Sequence, residues 1–265
     1  MLSRLEAAAR SAGRAAASHP SLRRPLLEGW GRYVWLRGHL RARLAEARHA
    51  SHTRIPPFRV AWVDPADVEL MVERSWLPRQ ARERDVFPLS KFDYAGRVMG
   101  GEWDRTERRF DETALFRGFQ AHFRHGVPWE ETAFYATVVG HIERGTPMWG
   151  CESRAAFWER CEWLDGLYAT IRDEGYRPQS SLDGEAPPLV RLVNDEIAVC
   201  VARDGRLLFK DGRNRLAMAK LLGLEAVPVW LMVRHAGWQA FRETVAATPW
   251  LRGELSPRLR EHPDL

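Results

Sequence analysis

The sequence predicts an α/β protein, of the α+β kind, in which a small mixed sheet is combined with long helical segments. Three observations predict this class. Residues 58–63 and several stretches of 197–235 have the apolar and β-branched composition of strands. Residues 107–174 are expected to be mostly helical, with breaks at 126–128, 145–147 and Gly150, and residues 153–175 have apolar side chains close to a 3.6-residue period. The 265-residue chain is 45% hydrophobic and contains 12 tryptophans, which is enough apolar material for a sizeable core.

The N-terminal part of the chain is rich in arginine and alanine. Residues 25–49 have apolar side chains at loose helical spacing, which predicts one or two amphipathic helices. We expect these helices to pack on the main domain, and the alternative for a basic helix with tryptophans is a membrane surface. Pro56 and Pro57 mark the end of this extension.

The remaining elements follow from local signals. The predicted strands are 58–63, 86–92, 197–202, 206–209 and 227–233. The predicted helical segments are 107–174, 212–222 and 238–247, and the predicted loops are 93–104 and 180–190. Asp204-Gly205, between two apolar runs, predicts a tight hairpin. Gly175 and Gly223 are natural residues to end a helix.

The clearest candidate for a site is the turn that opens the 212–222 helix. Asp211 can cap that helix, and Gly212 lets a ligand approach the backbone closely. Free N–H groups at a helix start, beside Arg213 and Arg215, favour an anion such as phosphate. The alternative is an ordinary strand–helix–strand unit whose arginines are solvated.

Two other groups are candidates for chemistry. Glu102 and Asp104, in a loop with two glycines, could hold Mg²⁺ or accept a proton in phosphoryl transfer. The alternative is a turn with solvated acids. His235 ends the last strand, where ligands gather in open α/β sheets, and the alternative is a histidine without a catalytic role. The sequence contains no Walker A motif, GxSxG or HExxH.

Composition excludes several classes of protein. The net charge of +5 allows an anionic ligand but is too small and too scattered to require nucleic acid. Three cysteines without a CxxC pair favour buried thiols in a reducing compartment, and predict neither a disulfide framework nor a zinc site. There is no long apolar run and no secretion signal, so we expect a cytoplasmic protein without a membrane partner.

Several motifs, taken in order along the chain, resemble the N-terminal domain of the ParB/sulfiredoxin superfamily over residues 163–235. The matching residues are Leu167-Tyr168-Ala169-Thr170-Ile171, Gly175, Pro178-Gln179, the run from Asp211 to Ala217, Gly223 and Val227-Pro228-Val229. Residues 87–89 and Arg97 are similar to the first strand of that family and the arginine after it. The whole chain also resembles uncharacterised prokaryotic ParB-like domain proteins that share GRVxGGxWD, GVPWExT and DGRHRLAIAKLLG.

The resemblance implies a fold, a ligand and a division of the chain. Members of the superfamily bind a nucleotide triphosphate at this loop and helix, so it implies ATP or CTP, with Mg²⁺, and phosphoryl transfer or nucleotide hydrolysis. The residues it implies for holding the phosphates are Lys210, Asp211, Gly212, Arg213, Asn214, Arg215 and Arg97. The implied parts are an N-terminal helical extension (1–55), the first part of the domain (56–104), a helical insertion (105–162), the core (163–235) and a C-terminal helix and tail (236–265).

The chain also departs from its relatives. Sulfiredoxin has a cysteine within the loop, where Arg213 and Asn214 stand here, so sulfiredoxin chemistry is not expected. Asn214 replaces a histidine of many relatives and cannot shuttle a proton. The alternatives to an enzyme are a DNA-associated or regulatory module that uses the arginine-rich N-terminal helices, and a protein that merely holds a phosphate-bearing small molecule.

Overall fold

The computed structural model describes residues 20–48, 51, 53–72 and 94–265. The strand predicted at 86–92 lies outside the described residues, and so does the family match at 87–89. All three cysteines are buried free thiols, as the sequence predicts.

A mixed five-stranded sheet forms the centre of the fold. Its strands are β1 (Val60–Val63), β2 (Arg97–Met99), β3 (Ile197–Val201), β4 (Leu207–Asp211) and β5 (Val227–His235). The order is β1-β5-β3-β4, and β2 pairs with the second half of β5, beyond β1. β3 and β2 run parallel to β5, whereas β1 is antiparallel to β5 and β4 is antiparallel to β3. The predicted α/β class and the small mixed sheet are therefore confirmed.

Nine α-helices surround the sheet in the described residues. They are α1 (Pro20–Arg48), α2 (Ala114–Phe119), α3 (Ala133–Glu143), α4 (Arg154–Glu174), α5 (Pro188–Asp195), α6 (Arg213–Leu222), α7 (Ala236–Ala247), α8 (Leu251–Glu254) and α9 (Pro257–Arg260). In the part of the chain that the structure describes, no helix has the length and apolar character needed to cross a bilayer.

The two faces of the sheet bury two different cores, because successive strand residues point to opposite faces. Val199 and Leu231 face the larger core, which is filled by α2, α3, α4 and α6. Cys200 and Met232 face a second core, which α1 and α5 cover. The helical extension is therefore packed on the main domain, as expected.

Three elements differ from the sequence-based expectation. α4 runs without interruption through residue 162, so the expected boundary of the insertion falls inside a helix. The predicted loop at 180–190 contains the start of α5, because Pro188 occupies the first helical turn, where proline is tolerated, and Val190 and Leu192 are buried. The predicted loop at 93–104 contains β2, a strand of three residues.

Candidate phosphate-binding site

The start of α6 is shaped by a glycine in the left-handed region. Gly212 has φ +84°, and a Cβ there would lie 2.8 Å from the Cα of Ile197. Gly212 is the N-cap, and no side chain of the described residues caps the helix. The sequence predicts Asp211 as that cap; instead, its Oδ1 accepts a hydrogen bond from the Gly212 N–H at 2.7 Å. The N–H groups that follow Gly212 therefore point out of the helix end, and no side chain in the described ranges accepts from them.

Three arginines from two helices lie near this helix start. Arg213 is exposed, and its guanidinium lies 4.5 Å from the centre of the Trp149 ring. Arg215 donates from Nη1 to the Asp195 carbonyl at 3.0 Å. Arg160, on α4, places its guanidinium 4.3 Å from the centre of the Trp163 ring. Burial, together with the charges of Arg213 and Arg215, lowers the pKa of Arg160, so these two arginines oppose its charge.

The arginines have unused hydrogen-bonding capacity. The Nε atoms of Arg160 and Arg215 are buried without a partner, and so is the Oδ1 atom of Asn214. Within the described ranges, none of Arg160, Arg213 and Arg215 forms an ion pair with a carboxylate. Buried donors normally find acceptors, so the two unpartnered Nε atoms are available to an anion.

The buried carboxyl of Glu196 and the half-buried Tyr176 lie beside Arg215. Tyr176 donates to Oε1 of Glu196 at 2.7 Å, and the Gln179 N–H donates to Oε2 at 2.8 Å. Burial raises the pKa of Glu196 and also that of Tyr176, although the charge of Arg215 acts in the opposite direction on both groups. Both oxygens of Glu196 are occupied by these bonds, and in the described residues the carboxyl forms no ion pair with the arginines.

Trp149 is placed beside the site by a strained turn. Met148 and Cys151 exchange two backbone hydrogen bonds, so Trp149 and Gly150 form a two-residue turn in which both have positive φ. Such turns favour glycine or asparagine, and a bulky residue at φ +60° costs about 1–2 kcal/mol. The turn holds the indole under Arg213.

The other candidate residues lie at the opposite end of the sheet. Gly212 lies beside Ile197, which pairs with Val229 near the start of β5. Arg97 pairs with Val233, and His235 is two residues further on. Four to six residues of strand separate the two ends, which is about 13–20 Å. The expectation that Arg97 and His235 share one site with Gly212 is therefore wrong. β4 runs antiparallel to β3 and brings Gly212 to the start of β3, whereas β5 runs parallel to β3 and ends at the opposite edge of the sheet.

Arg97, placed at that far end, does not reach the phosphate loop. Its guanidinium lies 5.2 Å from the centre of the Tyr94 ring, and its Nε atom is buried without a hydrogen-bond partner. It therefore packs on an aromatic ring near β2 and does not hold the ligand that the resemblance implies.

Asp104 and His235 belong to a structural cluster. Arg203 donates to the Asp104 carboxylate from Nε at 2.8 Å and from Nη2 at 2.7 Å, and its backbone N–H donates to the same carboxylate. His235 caps α7: its Nδ1 accepts from the Gly237 N–H at 2.9 Å. The proton is therefore on Nε2, which donates to the Gly101 carbonyl at 3.0 Å. These bonds occupy the groups that were expected to act as acid and base.

Glu102 lies away from the loop, whereas Lys210 adjoins it in sequence but lies on the face of β4 opposite to α6. Glu102 is exposed and lies 3.4 Å from Arg203. The charge of Lys210 acts on the thiol of Cys200, which faces the second core, whereas α6 packs on the larger core. The carboxylates proposed for Mg²⁺ therefore do not face the phosphate loop, and no group of three His, Cys, Asp or Glu side chains in the described residues is placed to hold a metal.

The Asp104 cluster predicts a pH-dependent stability. Burial raises the pKa of Asp104, but the Arg203 hydrogen bonds outweigh it and lower that pKa from 3.8 to about 2. The lowered pKa stabilises the fold above pH 4, and this contribution is lost as the pH falls toward 2. It amounts to about 2 kcal/mol. Urea unfolding at several pH values should show that the deficit of Asp104→Asn relative to wild type shrinks by this amount below pH 4. Asp183→Asn, at an exposed position, should show a constant difference, and a constant deficit for Asp104→Asn would contradict the assignment.

Two residues of the site escaped the sequence analysis. Arg160 lies on α4, 53 residues before Arg213, and nothing in the local pattern connects them. Trp149 was counted with the tryptophans that fill the core. The only local signal for its turn was Gly150, because glycine favours the positive φ that such a turn requires.

The chain matches no protein-family model, no curated protein and no solved structure. The resemblance to the ParB/sulfiredoxin superfamily therefore stays a prediction from the sequence motifs.

Proposed function

We propose that this protein binds a nucleoside triphosphate, ATP or CTP, and that the start of α6 holds its phosphates. The observation that carries the proposal is that Arg213 and Arg215 lie in the first turn of α6, with Arg160 near enough to feel their charges, and that no carboxylate in the described residues forms an ion pair with any of the three. A polyphosphate would neutralise three cations that otherwise repel one another. Helix N–H groups and guanidinium groups are the usual donors to phosphate.

The energetic argument favours a multiply charged ligand. Each charge-assisted hydrogen bond contributes about 1.5–3 kcal/mol. Three arginines and the N–H groups that follow Gly212 in the first turn of α6 offer more donors than a single monoanion can accept. The motif resemblance supports a nucleotide over inorganic phosphate, and it leaves the choice between ATP and CTP to experiment.

Binding is better supported than catalysis. The candidate acids and base, Glu102, Asp104 and His235, lie at the other end of the sheet. Glu196 is near the arginines, but its oxygens are held by Tyr176 and by backbone N–H groups. Phosphoryl transfer or hydrolysis would therefore need a base other than these four residues.

Thermal unfolding with ATP, CTP and inorganic phosphate, each with and without Mg²⁺, tests the proposal. At a nucleotide concentration one hundred times its Kd, the wild type should gain about 2.7 kcal/mol of stability. Arg213→Ala and Arg160→Ala should each lose most of this gain, because each removes a cation from the same anion. Equal stabilisation by inorganic phosphate would identify a simple anion site.

The matched control is Arg172→Ala. Arg172 lies on α4 like Arg160, but it is exposed and paired with Asp173 at 2.7 Å. Its removal should leave the nucleotide-induced stabilisation unchanged. If no nucleotide stabilises the wild type, or if all three variants respond equally, the proposal is wrong.

A further inference from the structure

α1 has two apolar faces; the described residues of the domain bury one of them, and the other is exposed. Small buried residues occur every three or four positions along one side of α1: Gly31, Val34, Gly38 and Ala42. Phe58 packs directly against Gly38, where a Cβ would lie 2.7 Å from its ring. This stripe of small residues seats the helix on the second core.

The opposite side of α1 exposes large apolar side chains. They recur at intervals of seven, three, four and four residues, which keeps them on one side of a helix. Their exposed fractions are Leu26 39%, Tyr33 43%, Leu36 62%, Leu40 58% and Leu44 50%. We call these five residues the outer stripe. Leu36 lies two residues from both Val34 and Gly38, or about 200° around the helix, so the outer stripe points away from the domain.

Arginines flank the outer stripe. α1 contains seven arginines and two glutamates, a net charge of 7 − 2 = +5. One flank carries Arg32 and Arg43, and the other carries Arg37 and Arg48. Any pairing of two outer stripes, parallel or antiparallel, would bring arginines of both copies together, so charge disfavours a second copy of this chain. Charge complementarity favours an acidic occupant.

From this arrangement we infer that α1 docks on the surface of a bilayer containing anionic lipid. The stripe would enter the boundary between headgroups and acyl chains, and the flanking arginines would reach the lipid phosphates. The helix lies on the membrane and does not cross it. Duplex DNA would suit the arginines but would leave the leucines facing a charged backbone. This inference does not depend on the nucleotide site.

Flotation of the full-length protein with vesicles tests the inference. Binding is expected to phosphatidylcholine vesicles that contain phosphatidylglycerol, and not to phosphatidylcholine alone. The variant Leu36→Gln/Leu40→Gln should bind the anionic vesicles more than about tenfold less well, because both side chains lose apolar contact with the acyl chains. Arg32→Gln/Arg48→Gln should lose about fivefold for each arginine, and added salt should weaken the binding of the wild type.

The control is Trp250→Gln, which removes an apolar side chain that is 71% exposed elsewhere on the molecule. This variant should bind like the wild type, and circular dichroism should show that all variants are folded. Absence of binding to anionic vesicles would overturn the inference. So would a wild-type dimer that Leu36→Gln/Leu40→Gln converts to a monomer, or tight binding of duplex DNA that is insensitive to the two leucine substitutions.

Discussion

Replacement of Asp264 by alanine is expected to lower the free energy of unfolding by about 3–5 kcal/mol, because it leaves two buried arginines without their counter-charge. Asp264 and Arg234 are both completely buried. Arg234 donates to the Asp264 carboxylate from Nε at 2.8 Å and from Nη2 at 2.5 Å. Trp238 donates to the same carboxylate at 3.0 Å. Arg242 lies 3.6 Å from it.

The charge of this cluster explains the size of the effect. Burial alone would raise the pKa of Asp264, but the charges and hydrogen bonds of Arg234 and Arg242 hold that pKa below its usual value. The Nη1 atom of Arg234 already lacks a hydrogen-bond partner, so no second acceptor in the cluster replaces the carboxylate. Loss of the carboxylate would leave the charge of Arg234 unpaired in the core, where an unpaired charge is very unfavourable.

Chemical denaturation of Asp264→Ala, with Glu261→Ala as the control, measures this effect. Glu261 is exposed and only three residues away, so its substitution should change stability by less than about 0.5 kcal/mol. Addition of Arg234→Met to Asp264→Ala should restore part of the loss, because it removes the stranded charge. A loss below about 1 kcal/mol for Asp264→Ala would show that the C-terminal residues are not anchored as the structure has them.

The Asp264 cluster shows where sequence-based prediction ends. In the sequence, the last residues form a polar tail, and no local pattern connects an aspartate at 264 with an arginine on a strand at 234. By contrast, the hairpin at Asp204-Gly205, α6 and β5 were predictable, because their turns, caps and apolar runs are local. α4 was predictable from its period. α5 was missed because two prolines obscured the start of an apolar helix.

The candidate site was predictable only in part, for a related reason. The turn at Gly212 and the arginines after it could be recognised from adjacent residues. The grouping of Asp104 and His235 with that turn was wrong, because the direction of β5 relative to β3 is a tertiary property. The predicted hairpin was enough to place Asp211 at the start of β3, because β4 must run antiparallel to β3. Arg160 required knowledge of how α4 packs beside α6.

Gly212→Ala is expected to destabilise the fold by about 2–5 kcal/mol and to abolish nucleotide binding at the same time. The left-handed backbone costs alanine about 1–2 kcal/mol. The new methyl group would lie 2.8 Å from the Cα of Ile197 and 3.0 Å from the Glu196 carbonyl oxygen, and relief of such crowding costs about 1–3 kcal/mol more. That relief must move the start of α6, which carries Arg213 and the N–H groups of the proposed phosphate site.

Gly223 at the other end of α6 supplies the matched control for this prediction. It has φ +65°, and nothing lies within 4 Å of an added Cβ. Gly223→Ala should therefore show the backbone cost alone, about 1–2 kcal/mol, and should keep the full stabilisation by ATP or CTP. Thermal unfolding of both variants with and without nucleotide separates the two costs. If both variants lose stability equally and both still respond to nucleotide, the close contact at Gly212 does not shape the site, and the phosphate groups must be held elsewhere on the molecule.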